Sequence, residues 1–144
     1  MGHALNLIKT SAMKSILIYH VDDDSDELEF FNRILTDLGY ESKSFTSGRE
    51  LLDCIDAGGQ PDIIFVDIFM PRMTGLEVAT LLRDFSSMAV TPIVAVTGLP
   101  TEVVSDALIE NGVNYILEKS ADYDFFKGVV AEVIREQIGD RLSA

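Results

Sequence analysis

Acidic residues follow two apolar runs of this chain at the point where each run ends. The first run covers residues 15–21 and is followed by Asp22 and Asp23, and the second covers residues 61–66 and is followed by Asp67. Short runs rich in β-branched and aromatic residues predict buried strands of a parallel sheet, and acids at the ends of such strands gather at one sheet edge. Crowded carboxylates repel each other unless a hard cation such as Mg²⁺ joins them. The pattern therefore predicts a cation site suited to phosphate chemistry.

Two more polar side chains follow predicted strands. Thr97 comes after the run 93–96, and Lys119 comes after the run 113–117. In an open parallel α/β sheet, ligands bind beyond the carboxyl ends of the strands. A hydroxyl and an ammonium placed there can contact phosphoryl oxygens while the acids hold Mg²⁺.

The elements that must position these side chains alternate along the chain with short connections. Predicted strands cover 15–21, 41–45, 62–66, 93–96 and 113–117, and predicted helices cover 26–38, 47–57, 75–85, 101–111 and 121–138. Ser25 is the expected N-cap of the first helix, and Asp24, Asp26 and Glu27 are expected to be solvated acids near its start. Strands and helices in alternation imply an α/β fold with right-handed crossovers, in which helices cover both faces of a parallel sheet.

Composition narrows the classes of function. A chain of 144 residues with 47% apolar residues predicts one folded domain with a real core. The net charge of −13 disfavours nonspecific nucleic-acid binding and anionic membrane surfaces. Cys54 is the single cysteine, so no internal disulfide forms, which fits a reducing cytoplasm. No apolar run reaches the roughly 20 residues of a membrane span. We therefore expect a cytoplasmic protein without nucleic-acid or membrane partners.

Taken together, the motifs resemble the receiver domain of two-component response regulators, in its single-domain, chemotaxis-type form. The residues that carry the resemblance are Val21-Asp22-Asp23, the run 66–75 (VDIFMPRMTG), Ala95-Val96-Thr97-Gly98 and Lys119. The resemblance covers residues 14–138 and implies a flavodoxin-like, doubly wound sheet of five strands in the order 2-1-3-4-5 with five helices. Residues 1–13 are then a flexible or irregular arm, and residues 139–144 are a tail without an output domain.

The resemblance also implies a role for each site residue. Asp67 is the phospho-acceptor, whose carboxylate attacks a phosphohistidine and becomes an acyl phosphate. Lys119 pairs with a phosphoryl oxygen, and Thr97 hydrogen-bonds the phosphoryl group. Asp23 and Asp67 bind Mg²⁺ directly, and Asp22 binds it through water. The implied metal ligands are Asp22, Asp23, Asp67 and the backbone carbonyl of Phe69.

The implied function is that of a phosphorelay protein. The chain accepts its phosphoryl group from a sensor histidine kinase or a histidine phosphotransfer protein. It then signals by docking, through the face of helix four, strand five and helix five, to a downstream protein or a second copy of itself. It is not an enzyme in the usual sense, because it catalyses only its own Mg²⁺-dependent phosphorylation and slow dephosphorylation. The alternative is a receiver-like scaffold or adaptor that is never phosphorylated.

Other classes fail at particular positions. An EF-hand loop has Glu27 where its glycine belongs and Arg33 where its bidentate glutamate belongs. A flavin-binding protein of similar topology needs a phosphate loop after the first strand, where the aspartates 22–24 repel phosphate. A haloacid-dehalogenase-type phosphatase needs an acid two residues past its nucleophile, and that position holds Phe69.

The sequence departs from the receiver pattern around Lys119. Ser120 replaces the usual proline, and a non-proline cis bond costs about 3–4 kcal/mol, so we predict a trans Lys119–Ser120 bond or a strained cis one. The usual aromatic switch position holds Ile116, and Tyr115 is expected on the opposite face of the strand.

Two large apolar residues flank the route by which water would reach the acyl phosphate. Phe69 is two residues past the acceptor, and Leu99 is two residues past Thr97. Because neither side chain can orient a water molecule, our hypothesis is that the acyl phosphate hydrolyses slowly.

Overall fold

The computed structural model describes residues 15–142, in which five strands alternate with five helices. The strands are β1 (Leu17–Val21), β2 (Glu41–Phe45), β3 (Ile63–Asp67), β4 (Ile93–Thr97) and β5 (Tyr115–Glu118). The helices are α1 (Ser25–Asp37), α2 (Gly48–Asp56), α3 (Gly75–Arg83), α4 (Thr101–Glu110) and α5 (Tyr123–Leu142). A single 3-10 turn, Ser86–Met88, lies between α3 and β4.

All five strands are parallel and lie in the order β2-β1-β3-β4-β5, which confirms the predicted topology. The register keeps the carboxyl ends level: Val21 pairs with Val66, Asp67 with Val96, and Thr97 with Glu118. The residues that follow β1, β3, β4 and β5 therefore emerge at one edge of the sheet.

The core is divided by the sheet into two layers. Side chains alternate along β3, so that Ile64 and Val66 pack with α2 and α3 on one face, and Ile63 and Phe65 pack with α1 and α5 on the other. Every residue of β3 and β4 is buried, because both strands lie in the middle of a sheet covered on both faces. This burial explains the uninterrupted apolar runs in the sequence.

The start of α1 differs from the prediction. The N-cap is Asp24 rather than Ser25, and its side chain accepts hydrogen bonds from the backbone N–H groups of Asp26 and Glu27. Asp24 has the extended backbone that a cap requires, so the helix begins one residue earlier than predicted.

Other boundaries differ near the end of the chain. Helix α5 continues to Leu142, with a non-helical backbone at Ile138, so residues 139–142 of the predicted tail are helical. Strand β5 begins at Tyr115. No cis peptide bond occurs in residues 15–142, so the Lys119–Ser120 bond is trans. The predicted arm, 1–13, lies outside the described residues. Within those residues, no helix is both long and apolar enough to span a membrane.

Candidate functional site

The two central acids of the site are buried where β1 and β3 end. Asp22 is 2% exposed and Asp67 is 3% exposed. Asp22 is fixed from two sides: its backbone N–H donates to the carbonyl of Phe45 at 3.1 Å, and its Oδ1 accepts from the backbone N–H of Asp24 at 3.0 Å. The Asp22 carboxylate is therefore held in place at the carboxyl edge of the sheet.

The ammonium of Lys119 lies among three carboxylates from different elements. Its Nζ is 2.9 Å from Asp67 Oδ1, 2.5 Å from Glu27 Oε2 and 3.6 Å from Asp22 Oδ2. The backbone N–H of Lys119 donates to the carbonyl of Thr97 at 2.7 Å, which ties the base of this side chain to β4. One ammonium thus links the β1–α1 region, β3 and β5.

Glu27 is the site residue that the sequence interpretation missed, since it was expected to be solvated. It lies in the first turn of α1 and is partly buried, and its backbone N–H donates to the capping carboxylate of Asp24 at 3.2 Å. The signal that points to it is its place in a helix that begins at the acidic edge of the sheet. From there, the glutamate side chain reaches the ammonium of Lys119.

The carboxylates present a donor set that fits a divalent cation. One oxygen each from Asp22, Glu27 and Asp67 lies within 4.8 Å of the others, and Mg²⁺ prefers such oxygen ligands. Asp23, the other predicted direct ligand, is exposed and is not part of this group. Its charge is nevertheless close enough to contribute to the raised pKa of Asp67.

Burial and pairing control the protonation of the site. Burial raises the pKa of Asp22 to about 7, and a hydrogen bond to Glu27 adds to this effect. Burial acts in the same sense on Glu27, but hydrogen bonds with Asp22 and Lys119 outweigh it and lower the pKa of Glu27. The pKa values of the two neighbouring acids therefore move apart, upward for Asp22 and downward for Glu27.

The pKa values of Asp67 and Lys119 are both raised, but by different causes. Burial raises the pKa of Asp67, although Lys119 opposes this effect. Burial alone lowers the pKa of Lys119, but its hydrogen bonds to Glu27 and Asp67 dominate and raise it, so the side chain is a permanent cation.

Thr97 ends β4 with its side chain fully buried. Its hydroxyl accepts a hydrogen bond from the backbone N–H of Leu99 at 2.9 Å, which connects the strand end to the β4–α4 loop.

On β5, Ile116 packs in the layer that includes Val104 of α4, whereas Tyr115 packs on the opposite face, as the alternation of a strand predicts.

The loop between β3 and α3 (residues 68–74) passes close to the acceptor. The N–H of Gly75 donates to the carbonyl of Ile68 at 2.8 Å, and a Cβ at Gly75 would lie 2.4 Å from the carbonyl oxygen of Asp67. Only glycine permits this approach.

Two apolar residues beside the site are exposed to solvent. Phe69 and Leu99 are 57% and 40% exposed, so both present apolar surface there.

A cavity of about 510 Å³ lies next to the acidic cluster, between α1 and the start of α5. His20, Phe31 and Phe126 contribute to its walls, and Lys119 lies on its border with the site. His20 is buried, its Nδ1 has no hydrogen-bond partner, and its ring lies 4.2 Å from that of Phe31. Burial, assisted by the charge of Lys119, lowers the pKa of His20 to about 3, so the imidazole is neutral.

Comparisons with known proteins agree with this geometry. DivK of Brucella ovis, a polar-differentiation response regulator, is 29% identical over 127 residues, covering 88% of this chain and 98% of DivK. Among solved structures, the chemotaxis protein CheY4 of Vibrio cholerae is 26% identical with a TM-score of 0.76, covering 83% of this chain and 99% of that one. TrrA of Thermotoga maritima, solved in complex with Mg(2+)-BeF, is 26% identical with a TM-score of 0.69, covering 82% and 98% of the two chains.

A family model adds the decisive match. The model described as the response regulator receiver domain matches residues 17–130, which include all five strands and every residue of the acidic cluster. The chain belongs to the response regulator receiver domain family.

Proposed function

We propose that the chain accepts a phosphoryl group on Asp67 from the phosphohistidine of a sensor histidine kinase or a histidine phosphotransfer protein. The observation that carries the proposal is the placement of the Asp67 carboxylate. It ends a central strand, its Oδ1 lies 2.9 Å from the ammonium of Lys119, and it shares a cation-sized cluster with two more acids. An acyl phosphate formed there would have the ammonium of Lys119 ready to pair with it.

The transfer is a displacement at phosphorus. An oxygen of Asp67 forms the new O–P bond while the P–N bond of the phosphohistidine breaks, and the imidazole leaves with the electron pair of that bond. Lys119 pairs with an oxygen of the transferred group, and the hydroxyl of Thr97 has its own proton to donate to another.

A divalent cation, Mg²⁺ in this proposal, would offset the negative charge that accumulates on the acceptor and the phosphoryl oxygens. The residues proposed to hold it are Asp22, Asp23, Asp67 and the backbone carbonyl of Phe69. Burial raises the pKa of Asp22, so a divalent cation bound there would compete with a proton for this carboxylate.

The chemistry proposed here is confined to the chain itself, which catalyses its own phosphorylation and slow dephosphorylation and turns over no other substrate. Its output is docking through the α4–β5–α5 face. Support for this face comes from apolar side chains that the two helices leave exposed: Val103 and Ile109 on α4 are 67% and 53% exposed, and Phe125 on α5 is 62% exposed. A scaffold that is never phosphorylated would need no such acceptor site, and a Mg²⁺-dependent phosphorylation assay separates the two functions.

The test of the acceptor is Asp67→Asn, which removes the nucleophilic oxygen but keeps the shape of the side chain. We expect labelling by a phosphorylated histidine kinase, or by acetyl phosphate with Mg²⁺, to fall to background. Asp53→Asn, at an exposed acid of α2, is the matched control and should label like the wild type. If the Asp67→Asn protein labels as the control does, Asp67 is not the acceptor.

A further inference from the structure

Lys119 has three carboxylate neighbours, and each has a different fate during the proposed reaction. When Asp67 is phosphorylated, the oxygen that contacts Nζ either becomes the bridging oxygen of the acyl phosphate or remains as its carbonyl oxygen, so its charge is lost. Asp22 would be shared with the divalent cation, and at 3.6 Å it is the most distant of the three from Nζ. Glu27 belongs to the same cluster, but it is neither the acceptor nor one of the four cation ligands proposed above.

Glu27 also differs from the other two in where it is anchored. It belongs to α1 rather than to a strand end, and its side chain is 44% exposed, whereas the side chains of Asp22 and Asp67 are 3% and 4% exposed. The first turn of α1 is held by the Asp24 cap, whose Oδ1 bonds the backbone N–H of Glu27 itself. The backbone of Glu27 is therefore fixed by the cap, and its carboxylate reaches the acidic cluster from α1 rather than from a strand end.

We propose that Glu27 is a positioning residue for the phosphoryl transfer, which holds the ammonium of Lys119 toward the phosphoryl oxygens after Asp67 has lost its charge. The inference rests on the function proposed above. Lysine carries a point charge on a flexible four-carbon stem, so its direction must come from a partner. An ammonium has three N–H donors, and one can stay with Glu27 while another meets a phosphoryl oxygen.

The test is Glu27→Asp, which keeps the charge but shortens the side chain by one methylene, so that the carboxylate no longer reaches Nζ. The matched control is Glu29→Asp, the same change at an exposed position of α1. Binding of beryllofluoride, a phosphoryl mimic, is measured by 19F NMR with saturating Mg²⁺. We expect Glu27→Asp to weaken this binding about three- to tenfold, the effect of losing one half-exposed ion pair, while Glu29→Asp stays near the wild-type affinity.

Two further measurements separate positioning from other roles. Mg²⁺ affinity without beryllofluoride, measured by calorimetry, and the thermal unfolding temperature should be alike in Glu27→Asp and Glu29→Asp. A selective loss of Mg²⁺ affinity in Glu27→Asp would show that Glu27 is a cation ligand and contradict the proposal. So would beryllofluoride binding that is equal to or tighter than that of the control. A wild-type protein that binds Mg²⁺ but no beryllofluoride contradicts the proposed function itself.

Discussion

At the scale of single residues, the site carries less negative charge than a count of its acidic side chains gives. Asp22, Glu27 and Asp67 would carry three negative charges if all were ionised, but burial raises the pKa of Asp22 to about 7 and the ammonium of Lys119 lies within 3.6 Å of all three carboxylates. Both effects reduce the negative charge of the cluster. An incoming phosphoryl group therefore meets less repulsion than the crowded acids suggest.

The residue-scale prediction concerns how long the acyl phosphate lasts. Phe69 is 57% exposed beside the acceptor and offers water no hydrogen-bonding group. Phe69→Asn supplies an amide that can orient the attacking water, so we expect the phosphorylated protein to decay roughly tenfold faster, less than a fully positioned proton acceptor contributes. The decay of label after removal of the phosphodonor measures this rate.

The control for this prediction is Val90→Asn, which makes the same kind of change at a residue that is 84% exposed and precedes β4, at the other edge of the sheet. It should leave the decay unchanged. Equal lifetimes for Phe69→Asn and the wild type would mean that this position does not limit hydrolysis.

At the scale of elements, the join between β3 and α3 sets the position of the acceptor. The backbone of α3 starts so close to β3 that a Cβ on Gly75 would lie 2.4 Å from the Asp67 carbonyl oxygen and 2.8 Å from the Cα of Ile68. Both contacts are to backbone atoms, which cannot rotate away. Any side chain at this position must push α3 and the acceptor strand apart.

The element-scale prediction is therefore that Gly75→Ala lowers stability and impairs phosphorylation together. We expect a loss of about 1–3 kcal/mol in the free energy of unfolding, as for other overpacked sites, and slower labelling by acetyl phosphate. Gly128→Ala in α5, where the new methyl meets nothing within 4 Å, should instead be neutral or slightly stabilising because alanine favours helix. Denaturant unfolding and labelling rates check both variants, and a Gly75→Ala protein as stable as wild type contradicts the argument.

The elements also show what sequence reasoning can and cannot predict. The convergence of Asp67, Thr97 and Lys119 was predictable, because buried parallel strands are visible as apolar runs and their ends mark one edge. The strand order was implied by the resemblance to receiver domains rather than by the apolar runs. The Glu27–Lys119 contact was not, since it depends on the rotation of α1 about its axis. The cap at Asp24 fixes the residue at which α1 begins. Because an α-helix has 3.6 residues per turn, a start one residue away places each side chain about 100° further around the helix axis.

At the scale of the whole molecule, the two edges of the sheet differ in the side-chain hydrogen bonds that fix the elements around them. At the amino edge, the guanidinium of Arg83 donates to the carbonyls of Met88, Thr91 and Gly112 and to the side chain of Asn114, which joins α3 to the α3–β4 connection and the α4–β5 loop. At the carboxyl edge, α4 begins at Thr101, and its N-cap residue, Pro100, makes no side-chain capping hydrogen bond.

Helix α4 is also the least buried of the helices next to the site. Leu108 is its one fully buried residue, whereas α1, α2 and α3 each bury four. A helix with few buried contacts opens at low free energy, so α4 is the element that a small change at the site can shift most easily.

In the proposed function, the hydroxyl of Thr97 would connect Asp67 to this helix, since it accepts a hydrogen bond from the backbone N–H of Leu99 just before α4 begins. If the hydroxyl turns to a phosphoryl group on Asp67, the β4–α4 loop must adjust with it. We therefore predict that Mg²⁺ and beryllofluoride change amide hydrogen exchange in residues 98–105 severalfold in the wild type. In Thr97→Val, which keeps the shape but lacks the hydroxyl, most of this change should disappear although beryllofluoride still binds.

The matched control is Thr91→Val, at a threonine that is also buried but lies at the opposite edge beside Arg83. Its exchange response in residues 98–105 should equal that of the wild type, because Thr91 has no part in the path from Asp67 to α4. An unchanged response in Thr97→Val would break the proposed link, because the site would then reach α4 without this hydroxyl. If the exchange response is lost in both variants, its loss would reflect general destabilisation of β4. Each substitution removes a buried hydroxyl near one end of this strand, because Thr91 precedes β4 and Thr97 ends it.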